Sequence, residues 1–269
     1  MATNPAFSRN PAFSSKGTAV APVPTASAEE LQAMYSAPAA SAVDTDRMTV
    51  EDTVVKSVVG FVVLIAGAVV GYLITPAAPA VFWIASIVGF VLALVNIFKR
   101  EPSAPLILAY AAAQGIFLGG ISLIYETQFS GIIAQAVIAT LAVFGVTLAL
   151  FASGKVRASK KATKIFMIAL GSYVVFSLVN VVLMLTGVNK DPWGLYGAEI
   201  FGIPLGLLIG VLVVIMGAYS LVLDFDAIQQ GVRNRAPRKY GWSGAFGIMV
   251  TVIWLYVEIL RIIGIARSN

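Results

Sequence analysis

The chain has 269 residues, of which 59% are hydrophobic and only 12% are charged, and its mean hydropathy is +0.90. Soluble domains are about 45–50% apolar and about 25% charged, so this composition excludes a soluble globular domain. The sequence has no cysteine and no histidine, which excludes disulfides, thiol nucleophiles, zinc–thiolate sites and histidine acid–base chemistry. Any response to pH must therefore come from carboxylates.

The first 48 residues are rich in Ala, Ser, Pro and Thr and have no long apolar run. This composition predicts a disordered tail. The pentapeptide NPAFS occurs at residues 4–8 and again at 10–14, so a docking motif is the alternative. Ser27 with Glu30 forms a capping-box pattern, which predicts a short surface helix over 27–35.

Seven continuous apolar runs follow the tail, after a second capping-box pattern formed by Thr49 and Asp52. Each run is close to the roughly 20 residues that cross a bilayer as a helix. Continuous rather than alternating hydrophobicity favours helices over a β-barrel. We therefore predict an all-α polytopic membrane protein in which residues 49–269 form one seven-helix domain. The predicted helices cover about 54–74, 80–98, 104–125, 131–152, 165–186, 200–223 and 244–264.

The charged loops predict the orientation of these helices. The alternate loops on one side carry Lys99, Arg100, Lys155, Arg157, Lys160, Lys161, Lys164, Arg233, Arg235, Arg238 and Lys239. The turns on the other side carry only Lys190. The positive-inside rule then places the N-terminus in the cytoplasm and, after seven spans, the C-terminus outside. Positive charge clustered in this way indicates orientation rather than nucleic-acid binding.

Glycines at a spacing of four residues predict close helix packing. They occur at Gly67 and Gly71, at Gly115 and Gly119, and in the sixth run at Gly202, Gly206 and Gly210.

Two carboxylates stand where the sixth apolar run ends. Asp224 and Asp226 are two residues apart, so on a helix they point about 200° apart and cannot face the same interior. Asp224 lies nearer the apolar run, and we predict that it is buried. We predict that Asp226 ends the helix at the membrane interface, near Arg233 and Arg235.

The last apolar run contains Glu258 and, three residues later on the same face, Arg261. Two interpretations stay open: a buried ion pair, or a carboxylate that coordinates ions or accepts protons in an interior pathway. Gln114 is a further polar residue near the middle of the third run, where bridging two helices is the default role. No nucleophile–base, phosphate-loop or metal-ligand pattern occurs, so we do not expect an enzyme.

Two segments carry a resemblance to a known family. AAAQGIFLGGIS at 111–122 and LDFDAI at 223–228, together with the seven runs, resemble the Bax inhibitor-1 family, also called the YccA-like or transmembrane Bax-inhibitor-motif family. NPAFSRNPAFS and TVEDTVVKS resemble its actinobacterial branch.

The resemblance implies six helices around a central seventh and a pH-sensitive calcium leak. It also implies a gate made by two aspartates, one on helix 6 and one early in helix 7. Asp224 matches the first aspartate. The segment at about 248–251, where the second is expected, has no acid, and Gln114 stands where the family often has Glu.

Taken with this resemblance, the sequence leads us to expect a cation leak in a bacterial inner membrane, with Ca²⁺ as the transported ion and no cofactor. Asp224 and Glu258 are its candidate metal-binding residues, with Arg261, Asp226 and Gln114 along the pathway. The expected partners are the lipid bilayer and cations. One alternative is a non-conducting regulator that binds a protease or a membrane protein through its tail and basic loops. A proton-coupled transporter, supported by Glu258, is the other.

Overall fold

A computed structural model describes residues 46–268. This part of the chain contains seven helices that are long and apolar enough to cross a membrane, which confirms the predicted all-helical fold. They are α1 (Val50–Ile74), α2 (Ala80–Phe98), α3 (Ala104–Gln128), α4 (Ile132–Ala152), α5 (Lys160–Leu185), α6 (Leu205–Arg233) and α7 (Gly241–Ser268). The predicted tail up to residue 45, with its repeat and short helix, lies outside the described residues.

Two of the helices begin a few residues before their apolar runs, each after a capping residue. The Thr49 hydroxyl accepts a hydrogen bond from the amide of Asp52 at 3.0 Å, so Thr49 is the N-cap of α1. The Asp52 carboxylate, the other half of the predicted capping box, accepts from Lys56 and Arg238. Ser159 caps α5 in the same way, through the amide of Ala162 at 3.2 Å. These bonds satisfy amides that the first helical turn leaves without a partner.

The sixth helix starts later and ends later than the sequence predicts. Glu199–Ile200 and Ile203–Pro204 form a two-stranded antiparallel hairpin, and α6 begins directly after it. The turn residues Phe201 and Gly202 have positive φ angles of 54° and 77°, as a tight hairpin turn requires. The prediction that Gly202 packs within helix 6 is therefore wrong. At the other end, Asp224 and Asp226 do not end the helix, which continues to Arg233.

The most buried helix is α7. In its most apolar part 56% of the residues are buried, against 6% in α5. The main contacts of α7 are with α1, α3, α4 and α6, whereas α2 packs chiefly on α3. The last helix thus forms much of the core, and α5 is only loosely attached.

Glycine contacts join α1 to α3. A Cβ atom on Gly119 would lie 2.0 Å from the carbonyl oxygen of Ala68, and one on Gly115 would lie 2.2 Å from that of Leu64. The two backbones therefore touch, which confirms the packing predicted from the glycine spacing. Gly206 and Gly210 of α6 likewise adjoin side chains of α7.

Candidate functional site

Asp224 lies between α6 and α7 and is only 1% exposed. Its Oδ2 atom accepts a hydrogen bond of 2.7 Å from the hydroxyl of Thr251 on α7. The hydroxyl of Ser220, one turn before Asp224 on α6, lies 3.2 Å from the hydroxyl of Thr251. The prediction that Asp224 is buried agrees with this position.

The chain of hydroxyls has one consistent direction. Thr251 has one hydroxyl proton, and it is donated to Asp224. Ser220 must then donate its own proton to the Thr251 oxygen. The carboxylate therefore stands at the accepting end of a short polar chain that links α6 to α7.

Thr251 is the residue that sequence reasoning missed. It lies within the segment 248–251 where the resemblance leads us to expect an acid, and it is 3% exposed. A neutral hydroxyl thus faces Asp224 where a second carboxylate is expected. The sequence did contain a signal for this residue, because Thr251 is the one side chain in 248–251 that can donate a hydrogen bond.

Asp226 is half-buried, in contrast to Asp224. Within residues 46–268 it makes no ion pair of 4.0 Å or less. Arg233 instead donates to Gln230 at 3.0 Å. Arg238 pairs with Asp52 at 2.8 Å, which ties the basic loop to the start of α1.

Glu258 belongs to a second buried cluster, which contains the positively charged side chain of Arg261. Its Oε2 atom pairs with Arg261 Nη2 at 2.5 Å, and the hydroxyl of Tyr173 on α5 donates to Oε1. Arg261 also donates to the Tyr173 oxygen at 3.3 Å and lies over the ring of Tyr196, 3.8 Å from its centroid. The predicted pair of Glu258 and Arg261 is present, but the sequence did not predict its two aromatic neighbours, Tyr173 and Tyr196.

The two clusters lie along one face of α7 at different depths. Thr251 and Glu258 are seven residues apart, which is about 10 Å along a helix axis and about two turns. Each carboxylate has its own set of partners, so the structure brings together Asp224 with Thr251 and Glu258 with Arg261.

Gln114 belongs to neither cluster. It is half-buried and packs against α2, where a Cβ atom on Gly89 would lie 2.7 Å from its Nε2 atom. Gln114 therefore lies at the α2–α3 contact, away from Asp224 and Glu258.

The described part of the chain holds no group of three or more His, Cys, Asp or Glu residues able to bind a metal ion. Ca²⁺ takes six to eight oxygen ligands when it is bound tightly. The oxygens that meet here, those of the Asp224 carboxylate and the hydroxyls of Thr251 and Ser220, come from fewer groups than a tightly bound Ca²⁺ needs.

Similarity to known proteins agrees with the fold. A profile described as Bax inhibitor 1 like matches residues 4–268, which is nearly the whole chain. Comparisons with curated proteins and with solved structures found no match. With its seven membrane-length helices and a family match over almost its full length, the chain belongs to the Bax inhibitor 1-like family of membrane proteins.

Proposed function

We propose that the protein is a pH-sensitive cation leak, that Ca²⁺ is its transported ion, and that Asp224 is its gate. The observation that carries this proposal is a carboxylate only 1% exposed inside a membrane-spanning helix. Ionisable groups inside a membrane are costly and mark ion or proton pathways. We propose a bacterial cytoplasmic membrane because of the resemblance to the actinobacterial branch, and an N-terminus in the cytoplasm because of the asymmetry of the basic loops.

The proposed gate works through a change in hydrogen bonding between α6 and α7. An ionised Asp224 can only accept hydrogen bonds, whereas a protonated one can also donate. Gain of a proton would weaken the bond from Thr251 and change the relative stability of closed and open arrangements. Carboxylate and hydroxyl oxygens are the ligands that a hard cation prefers as it passes.

Calcium flux into liposomes tests this proposal. Purified protein is reconstituted around a calcium-sensitive dye, and flux is measured from about pH 5 to pH 8, a range in which buried carboxyls can titrate. We expect wild-type flux to depend on pH and Asp224→Asn to lose that dependence. Asp226→Asn is the matched control. Asp226 was expected along the pathway, but on α6 it points about 200° away from Asp224, so this variant removes the same charge outside the proposed gate and should behave like the wild type. An Asp224→Asn protein with the wild-type pH profile would refute the assignment.

Proton-coupled transport is a second candidate, favoured by the buried network of Glu258, Tyr173 and Arg261. A pH-sensitive dye inside the same liposomes distinguishes it from a leak. A coupled transporter moves protons when a cation gradient is imposed, and Glu258→Gln would abolish that movement. A simple leak moves cations without a matching proton flux.

A regulator that acts through the tail is tested by deletion. The deletion should stop at residue 45, because the next residues are bonded to the basic loop. The backbone amide of Met48 donates to the carbonyl of Ala236 at 2.7 Å, and the backbone amide of Arg238 donates to the carbonyl of Asp46 at 2.8 Å. A leak survives the loss of residues 2–45, whereas a complex formed through the tail does not.

A further inference from the structure

A lateral groove runs between α1 and α4, and α7 forms its floor. It consists of two cavities of about 410 and 610 Å³ that share lining residues on all three helices. The shared residues are Phe61, Ile65, Thr140, Leu141 and Val252. The groove extends from Val50 at the start of α1 to Leu73 near its end, so it spans most of the membrane thickness.

The groove fits a hydrocarbon chain rather than an ion. Its walls are mainly Val, Ile, Leu and Phe side chains. Of the hydroxyls along it, those of Thr53, Ser57 and Thr140 donate to carbonyls of their own helices at 2.7–2.8 Å. Those of Ser122 and Tyr256 bond to each other at 2.7 Å. Hydroxyls bound in this way leave an apolar surface, on which a dehydrated cation would find few ligands.

One end of the groove carries a fixed arginine. Arg157 lies over the ring of Phe151, 4.4 Å from its centroid, and donates to Gln229 at 3.2 Å. Phe151 and Gln229 both line the groove. Arg157 is exposed, and among residues 46–268 no carboxylate lies within 4.0 Å of it, in contrast to Arg238 and Arg261.

The surrounding charge favours an anion at this end. The loop and helix start from 153 to 164 hold five Lys or Arg residues and no acid. Glu51 and Asp226 lie on the flanking helices, next in sequence to the groove residues Val50 and Phe225. Because these two acids offset part of the basic charge, selection of an anionic ligand must come from the positioned guanidinium of Arg157 and not from net charge alone.

We propose that this groove binds one anionic phospholipid, with an acyl chain between α1 and α4 and the phosphate on Arg157. A guanidinium presents several donors in a planar fork that matches phosphate, and a stacked ring restricts its motion. A second copy of the chain or a partner's helix would use the apolar walls without needing the arginine. The inference goes beyond the proposed leak and stands without it.

Native mass spectrometry of the full-length protein tests the headgroup contact. The protein in detergent receives equal amounts of phosphatidylglycerol and phosphatidylcholine with identical acyl chains. We expect about tenfold preferential retention of one phosphatidylglycerol, because both lipids offer a phosphate but the choline cation of phosphatidylcholine offsets its attraction to Arg157. Arg157→Gln should abolish the preference, whereas the matched control Lys161→Gln, which removes the same charge from the same basic segment, should keep it. Equal preference in both variants, or none in the wild type, overturns the proposal.

A second pair of variants tests the acyl chain. Leu141→Trp fills the groove, and Ile138→Trp places the same ring on the same helix outside it; both positions are over 60% exposed, so the substitutions should be tolerated. We expect Leu141→Trp to lose the bound lipid and Ile138→Trp to retain it. Equal retention by the two variants overturns the proposal. A wild-type dimer that Leu141→Trp converts to a monomer also overturns it, because a second copy would then occupy the groove.

Discussion

Two buried carboxylates of similar exposure, 1% for Asp224 and 3% for Glu258, are stabilised in different ways. Asp224 accepts a bond from a neutral hydroxyl, whereas Glu258 is bound by a guanidinium and a phenol. Protonating Glu258 would leave a buried cation without its carboxylate partner, which is costly. Protonating Asp224 rearranges its hydrogen bond with Thr251. The comparison therefore favours Asp224 over Glu258 as the site of the proposed pH response.

The largest effect on stability should come from removing the guanidinium of Arg261. Arg261→Met leaves Glu258 buried without its positive partner, so we expect the free energy of unfolding to fall by about 3–5 kcal/mol. Titration of the purified protein with denaturing detergent measures this loss. The double variant Glu258→Gln/Arg261→Met is the control and should recover much of it. If the double variant is no more stable than the single one, the two side chains do not act as a pair.

The next effect should come from the hydroxyl that faces Asp224. Thr251→Val keeps the shape of the side chain but removes the donor, so we expect a loss of about 1–3 kcal/mol in the same titration. Thr251→Ser keeps the donor and should lose less. Equal losses in the two variants would show that packing, and not the hydrogen bond, matters at this position.

A smaller effect should come from Tyr173, because Glu258 keeps Arg261 when the phenol is removed. Tyr173→Phe should cost about 1 kcal/mol, the usual net value of one hydrogen bond. Since Tyr173 is one of few links from α5 to α7, amide hydrogen exchange should rise in α5 more than in α3. Uniform exchange in both helices would contradict this role.

The smallest effect should come from the exposed ion pair of Lys239 and Glu101, whose atoms lie 2.9 Å apart. Both side chains are largely solvated, so Glu101→Gln should leave the unfolding transition unchanged within error. A clear loss of stability would mean that burial is not what separates the strong charged contacts of this protein from the weak ones.

Most of the fold could be predicted from the sequence. A run of about 20 apolar residues has few alternatives to a transmembrane helix, so the seven helices follow from hydropathy alone. Gly202 shows the limit of that signal. Its segment is apolar enough to join α6, but the positive φ angles of Phe201 and Gly202 give a hairpin that hydropathy does not detect.

The candidate site could be predicted only in part. Asp224 and the Glu258–Arg261 pair follow from position and from spacing along one helix. Thr251 is the one side-chain donor in 248–251, but the sequence does not show whether it bonds to Asp224 or, as Thr53 and Thr140 do, to its own helix backbone. Which threonine meets Asp224 depends on how α6 and α7 are rotated against each other, and Tyr173 depends in the same way on α5.

The contact between Gly119 and Ala68 has a consequence for the order of assembly. Because α1 pairs with α3, and α2 packs on α3, the first three helices can associate once residue 128 has entered the membrane. Chains are synthesised from the N-terminus, so this three-helix unit can form before the later helices are inserted. The bond between Asp224 and Thr251 joins the last two helices to be synthesised. A ribosome-bound chain can therefore contain the α1–α3 unit, but it has no Asp224 site until α7 is inserted.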